Sequence, residues 1–333
     1  MATDKKSLFM CGGNAIKWEH DGKLYALYTE IDEDAPNPRE DDDGNLAVLA
    51  CWHRRYTLGD KLDDKEPLDF WRRMVEEIVP AEEILAAALA GKLSDVRVKP
   101  NEERPELVDI YEVDREDGQE YLACDAATRD YAHNPIIEVL GFSNCQTLLV
   151  PHAVWLPLWL YDHSGLSISC GDRTGQFADE WDSGQLGWAF ITKKSVMENI
   201  GTEYVLDEQG NRIREEHKHP GMPSTWSYKT RPLTEDTWRA RAIEDIKAEV
   251  ERYSQYVSNE VYYYKLYQAE PVKDGEEPEW EEIECCGGFF GMDITESGIA
   301  DEVGRGLSEA IEAETYTQGT AEKKVSYSIK FNF

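Results

Sequence analysis

Long apolar runs are missing from this 333-residue chain. No stretch approaches the roughly 18 apolar residues that a membrane-spanning helix needs. The N-terminal "MATDKKSLFMCGG" has two lysines but only a three-residue apolar run, too short for a secretory leader. Cysteine is scarce: seven residues, odd in number and scattered without framework spacing. Reduced thiols in a cytoplasm are therefore expected, not a disulfide scaffold. C-x-x-C and H-E-x-x-H are both absent, and the adjacent Cys285 and Cys286 point to opposite faces of a strand. Neither a metal nor a cofactor is expected from these spacings. No G-x-S-x-G elbow and no G-x-x-x-x-G-K-[ST] loop occurs. The chain also lacks internal repeats and low-complexity linkers.

Basic residues are few as well. Lys and Arg number 35 against 67 Asp and Glu, a net charge of −32. Such a chain repels nucleic acid and anionic lipid, so neither is an expected direct partner. With 41% hydrophobic residues and ten Trp, it nevertheless has the material for a packed core. The charge reads either as a solvated exterior or as imitation of nucleic acid toward a basic protein. Duplex DNA carries one charge per ~1.7 Å, so 32 charges match roughly 54 Å, near the span of a globule with a radius of gyration of roughly 20 Å. Mimicry requires the charges to share a face.

Their distribution is uneven. Residues 101–150 and 251–300 each hold 12 acidic and 3 basic side chains, whereas 51–100 hold 10 and 9. The densest runs, "EDDDGN" (40–45), "DREDGQE" (114–120) and "KDGEEPEWEEIE" (273–284), each contain a Gly between apolar runs and predict hairpin tips. Asp41, Asp42, Asp43, Glu116, Asp117, Glu276, Glu277 and Glu279 are the candidate acidic interaction surface.

Periodicity predicts an α+β fold with mostly antiparallel sheet. "KLYALYTEI" (23–31) and "NLAVLACWH" (45–53) suggest an antiparallel pair. Apolar residues recur at helical spacing from Leu68; Pro80 starts a second helix and Gly91 ends it. "LVDIYEV" and "EYLACDA" form a hairpin around Asp117-Gly118. Pro151 and Pro157 argue against one continuous helix or a central strand over 147–162. "GLSIS" and "LGWAFIT" are further strands, and "KKSVMENIG" is a short helix closed by Gly201. Residues 207–228 form an exposed excursion. With Thr234 as N-cap, Trp238, Ala242, Ile246, Val250, Tyr253 and Val257 mark one long amphipathic helix. Two strands follow around Asp274-Gly275, then one helix over 299–314. The alternating "VSYSIKFNF" is a closing half-buried strand. A boundary near residue 145 divides 1–145 from 146–333, and a single domain is the alternative.

The densest chemistry lies in "LYDHSGLSISCGDRTGQFADEWDSGQLGWAFI" (160–191). Asp162, His163, Ser164, Trp181, Asp182, Ser183 and Gln185 are the candidate binding residues. The structural reading makes two polar turns, Asp162-Ser164-Gly165 and Asp182-Ser183-Gly184, above a core of Trp155, Trp159, Trp181 and Trp188. Consecutive Asp, His and Ser point apart and form no catalytic relay by themselves.

"LPLWLYDHSGLSIS", "WDSGQLGWAFITKKSV", "EVERYSQYVSNEVYYY" and "CCGGFFG", in that order, resemble an uncharacterised family of acidic proteins from bacteriophages and mobile elements of Gram-positive bacteria. The likeness covers residues 156–291 and leaves the first 145 uncovered; the insertion at 207–228 departs from it. It implies an accessory protein, not a reaction. Two functions follow as expectations. One is a cytoplasmic protein that binds a basic, nucleic-acid-handling host protein, such as a defence or restriction component. The other is an enzyme with a pocket at Asp162, His163, Trp181, Asp182 and Gln185.

Overall fold

Asp21 and Gly22 both have positive φ (51° and 74°), the geometry of a two-residue hairpin turn that matches strand twist. They join β1 (Asn14–His20) to β2 (Lys23–Ile31). The remaining elements, in chain order, are β3 (Val48–Cys51), α1 (Pro67–Ile78), α2 (Ala81–Leu89), β4 (Val96–Pro100), β5 (Val108–Val113), β6 (Glu120–Ala127), α3 (His133–Val139), α4 (Phe142–Leu149), β7 (Ala153–Asp162), β8 (Leu166–Cys170) and β9 (Ser183–Thr192). Then come α5 (Lys193–Ser195), β10 (Thr202–Tyr204), β11 (Arg214–His217), β12 (Thr225–Tyr228), β13 (Thr230–Pro232), α6 (Trp238–Val257), β14 (Val261–Ala269), β15 (Glu281–Phe290), α7 (Ile299–Val303), α8 (Leu307–Ala313), β16 (Tyr316–Lys323) and β17 (Ile329–Asn332). The structure is a computed structural model and describes residues 6–40, 44–218, 225–273, 277–323 and 329–333. The fold is α+β, with antiparallel pairing throughout the registered strand pairs.

The chain forms two compact units, each discontinuous in sequence. One unit comprises Met1–Asp43, Leu160–Ser169 and Val250–Phe333; the other comprises Gly44–Trp159 and Cys170–Glu249.

The first unit is built on a six-stranded sheet of order β15-β14-β2-β1-β16-β17. The expected pairing of 23–31 with 45–53 does not form. The Asp21-Gly22 turn commits β2 to β1, β14 takes its other edge, and β3 pairs with β9 in a separate sheet. One face buries Ile16, Trp18, Leu27, Tyr264 and Leu266 against Ile299, Val303, Leu307 and Ile311 of α7 and α8. A single closing helix was expected here. Gly304, Arg305 and Gly306 all take positive φ, which no α-helix accommodates, so the helix breaks in two. On the opposite face Ala26, Tyr28 and Tyr267 pack with Trp280, Ile329 and Phe331. The Phe331 ring lies 5.2 Å from that of Tyr267 and 5.4 Å from that of Trp280, so the curled sheet brings residues from its two ends into one aromatic cluster. A half-buried strand forms at 329–332 as β17, although its burial does not alternate; residues 324–328 of the expected strand, and the Asp274-Gly275 turn, lie outside the described residues.

The second unit packs an aromatic core. Trp71 meets Trp155, Trp188 and Phe190 edge-on at 5.1 to 6.0 Å, a preferred ring geometry. Helix α1 supplies Phe70, Trp71, Met74 and Val75 from one face; Pro67 opens it, and Glu66 and Asp69 form a reciprocal capping box. The strand order is β3-β9-β7-β8. Strand β7 is thus central and contains Pro157, contrary to the sequence expectation. Its carbonyl accepts the Gly171 N–H at 3.0 Å, so only the proline's missing donor is lost from the ladder. Gly187 lets β9 meet β3, since a Cβ there would lie 1.8 Å from the Ala50 carbonyl oxygen. Long helix α6 begins at Trp238, three residues beyond the expected first helical residue, and inside this unit its Glu249 accepts the Leu46 and Ala47 N–H groups at 2.8 and 3.0 Å. The helix closed by Gly201 is confirmed, its second half a π turn over Val196–Ile200. Within the excursion the exposed strands β11 and β12 pair, and β10 and β13, which flank it, pair with each other.

Candidate functional site

The Asp162–Ser164 turn and the Trp181–Gln185 turn fall in different compact units. In the first unit, β7 ends at Asp162 and reverses through His163, Ser164 and Gly165 into β8. Ser164 takes φ 60°, the left-handed region that hairpin loops demand. The His163 ring sits 6.1 Å from that of Tyr161. In the second unit the turn before β9 is organised by residues that the sequence reading passed over. Asp179 Oδ1 accepts the Trp181 and Asp182 N–H groups at 2.7 and 3.1 Å. Arg173 donates to the carbonyls of Phe177, Asp179 and Ser183. The Ser183 hydroxyl donates to the Phe177 carbonyl at 2.8 Å, and Gln185 reaches the Gly187 carbonyl at 3.4 Å. Trp155 and Trp188 join the core as expected, and Trp159 is half-buried under Arg173. Trp181 does not: its side chain is 95% exposed, because Asp179 turns the backbone so that the indole leaves the fold.

Of the acidic candidates, Glu116 and Asp117 are exposed at the β5–β6 turn, where Asp114 and Asp117 accept backbone N–H groups at 2.7 and 2.9 Å. Glu277 and Glu279 are exposed just before β15. Asp41, Asp42, Asp43 and Glu276 lie outside the described residues.

A concave site occurs in the first unit at a place the sequence reading did not select. It is an open pocket of about 620 Å³ between the end of β2 and the Gly12-Gly13 turn. Strand alternation puts Tyr28 and Glu30 of β2 on one face, and the register sets Tyr263 of β14 directly opposite Glu30. The Tyr263 hydroxyl donates to the Glu30 carboxylate, and Tyr28 bonds the same group. Burial, then the neighbouring Glu30 charge, pushes the Tyr28 phenol far above its ordinary range. Beyond β2 the chain turns at once: the Ala35 N–H donates to the Asp32 carbonyl at 3.3 Å. Asp32, Glu33 and Asp34 therefore line the pocket with Glu30. Gly13, at φ 88°, donates to the Thr29 carbonyl, and its own carbonyl accepts from Ala321, which ties the opposite wall to β2 and β16.

"CCGGFFG" has a physical role here. The Gly288 N–H donates to Asp32 Oδ2 at 3.0 Å, and a Cβ on Gly287 would come within 2.5 Å of that oxygen. The diglycine on β15 thus holds one carboxylate of the site in place. The signals for this pocket were the two Gly-Gly pairs and the run "EIDEDA" at the end of an apolar strand, which are informative only once β2, β14 and β15 are adjacent.

Among the described residues, the lining is acidic: it has four carboxylates and two phenols and includes no Lys, Arg or His. Among the described residues, no group of three or more His, Cys, Asp or Glu side chains is arranged to hold a metal ion, and no helix is long and apolar enough to cross a membrane. No protein-family model matches the chain, no curated protein matches it, and no solved structure resembles it.

Proposed function

We propose that this chain is an acidic binding protein that engages a basic protein and takes a lysine or arginine side chain into the pocket of Glu30, Asp32, Glu33 and Asp34. The carrying observation is the pocket itself, whose wall includes the carboxylates of Glu30, Asp32, Glu33 and Asp34. A unit charge about 4 Å from a carboxylate gains roughly 1 kcal/mol in bulk water and about 4 kcal/mol near a protein surface, so each carboxylate of the wall that a bound side chain meets favours a cation. Charge allocation supports the same reading. The unit that holds the pocket has 30 acidic and 12 basic side chains in 137 residues, against 37 and 23 in the 196 of the other. In the setting that the phage-family resemblance implies, the partner is a cytoplasmic host protein that handles nucleic acid, and the carboxylates stand where phosphates would.

The test is a salt-titrated pull-down from host lysate with wild type and Asp32→Asn/Asp34→Asn. Capture of a basic nucleic-acid-binding protein at low salt, released by salt and weakened in the variant, supports the proposal. Recovery of no such protein at low salt counts against it.

A further inference from the structure

Eight of the ten Trp side chains are buried or half-buried; Trp226 is 60% exposed and Trp181 95%. A tryptophan left almost wholly in water forgoes the stabilisation that a large apolar side chain gains on burial. The backbone that carries Trp181 is held in place. Arg173 stacks on the Trp159 ring 5.4 Å away and clamps three carbonyls across the loop, the Trp159 indole N–H donates to the Gly171 carbonyl at 2.8 Å, and Asp179 fixes the backbone of residue 181 itself. The loop backbone is pre-organised, so little backbone ordering entropy remains to be lost when the indole is buried. Its neighbours in the chain are acidic: Asp172, Asp179 and Glu180 are exposed and Asp182 is half-buried, while Arg173 is engaged by the loop itself.

We propose that Trp181 is the anchor of a protein-binding surface whose partner presents an apolar pocket ringed by lysine or arginine. A solvent-exposed aromatic residue on an ordered backbone is the side-chain type that dominates interface energetics, and a polar rim around it excludes water. The acidic residues that flank Trp181 in the chain set the sign of the partner: they oppose anionic lipid and a second copy of this chain and favour a cationic rim. Only that sign rests on the function proposed above; the anchor rests on the indole and its clamp.

The experiment places a photo-crosslinking benzoylphenylalanine at Glu180, with Trp181 either intact or changed to Ala, in cells that carry the gene. The crosslinked protein is then identified, purified and titrated. Trp181→Ala is expected to leave the melting temperature unchanged, abolish the crosslink and weaken the purified complex by about 30-fold or more, while Trp226→Ala leaves affinity unaltered. A mapped crosslink site with apolar residues amid Lys or Arg is the expected result. The proposal is overturned by a crosslink that persists without Trp181, by the absence of any crosslinked protein, by Trp181-dependent self-association in sedimentation, or by Trp181-dependent binding to neutral phosphatidylcholine vesicles. If Asp34→Asn weakens the complex and Trp181→Ala does not, the anchor fails and the acidic pocket stands. If Trp181→Ala abolishes binding that salt never weakens, the anchor stands and the basic partner fails.

Discussion

Gly287 and Asp32 are 255 positions apart in sequence, yet a single carbon added to the glycine would stand 2.5 Å from the aspartate's Oδ2. The same oxygen accepts the N–H of Gly288 at 3.0 Å. The site's geometry therefore depends on a bare backbone in β15. Gly287→Ala is expected to displace the Asp32 carboxylate and cost about 1 kcal/mol, since the atom it meets is the movable end of a side chain. Thermal unfolding should show a small loss, and titration with an arginine peptide a larger one.

Gly187→Ala should behave differently, because the new Cβ would meet the backbone oxygen of Ala50 at 1.8 Å. Nothing there can rotate away, and β3 must separate from β9. A loss of about 3 kcal/mol or more is expected in urea unfolding. Gly184→Ala, with no atom within 4 Å of its added carbon, is the control that should stay near wild type.

In the second unit, buried Asp95 is paired with Arg115, whose Nη2 donates at 2.8 Å, and accepts the Gly141 N–H at 2.9 Å. Burial alone would raise its pKa, but Arg115 and the Gly141 N–H outweigh burial and hold it below the ordinary value. A carboxylate depressed in the folded state contributes stability above its unfolded pKa of about 3.9 and loses it as pH falls through the lower folded value. Asp95→Asn should thus be less stable than wild type at pH 7 by about 2 kcal/mol, with the gap closing below about pH 4. Urea midpoints for both proteins across pH 2.5–7 check this.

Burial pushes the Cys145 thiol up to about 12 and the Cys170 thiol to about 11. At pH 8 both are protonated and poor nucleophiles. Labelling with a disulfide reagent should reach exposed Cys11 in the folded protein and Cys145 only after unfolding. Peptide mapping of the labelled sites distinguishes the two.

Much of the fold was legible where local chemistry decides it. Pro67, Pro80 and Gly91 punctuate α1 and α2, Asp117-Gly118 closes its hairpin, and the apolar stripe of α6 runs as read. What escaped was decided at a distance or by backbone sign. Asp21-Gly22 pairs β2 with β1 instead of β3, and positive φ from Gly304 to Gly306 splits an unbroken helical period. The pocket draws on residues 12–13, 28–34, 263 and 321, four separated segments that no spacing rule joins. Trp181 was assigned to the core by residue type, whereas the Asp179 turn decides its exposure.

The most direct measurement is calorimetric titration of the purified chain with a hexa-arginine peptide, at about 50 and 500 mM salt, for wild type and Asp32→Asn/Asp34→Asn. A peptide held by the pocket should bind wild type at low salt, weaken steeply as exposed charges are screened, and lose about tenfold, or 1.4 kcal/mol, in the variant. Equal affinity for both proteins at low salt would mean that the peptide recognises the acidic exterior at large, and would contradict a pocket that selects a cation.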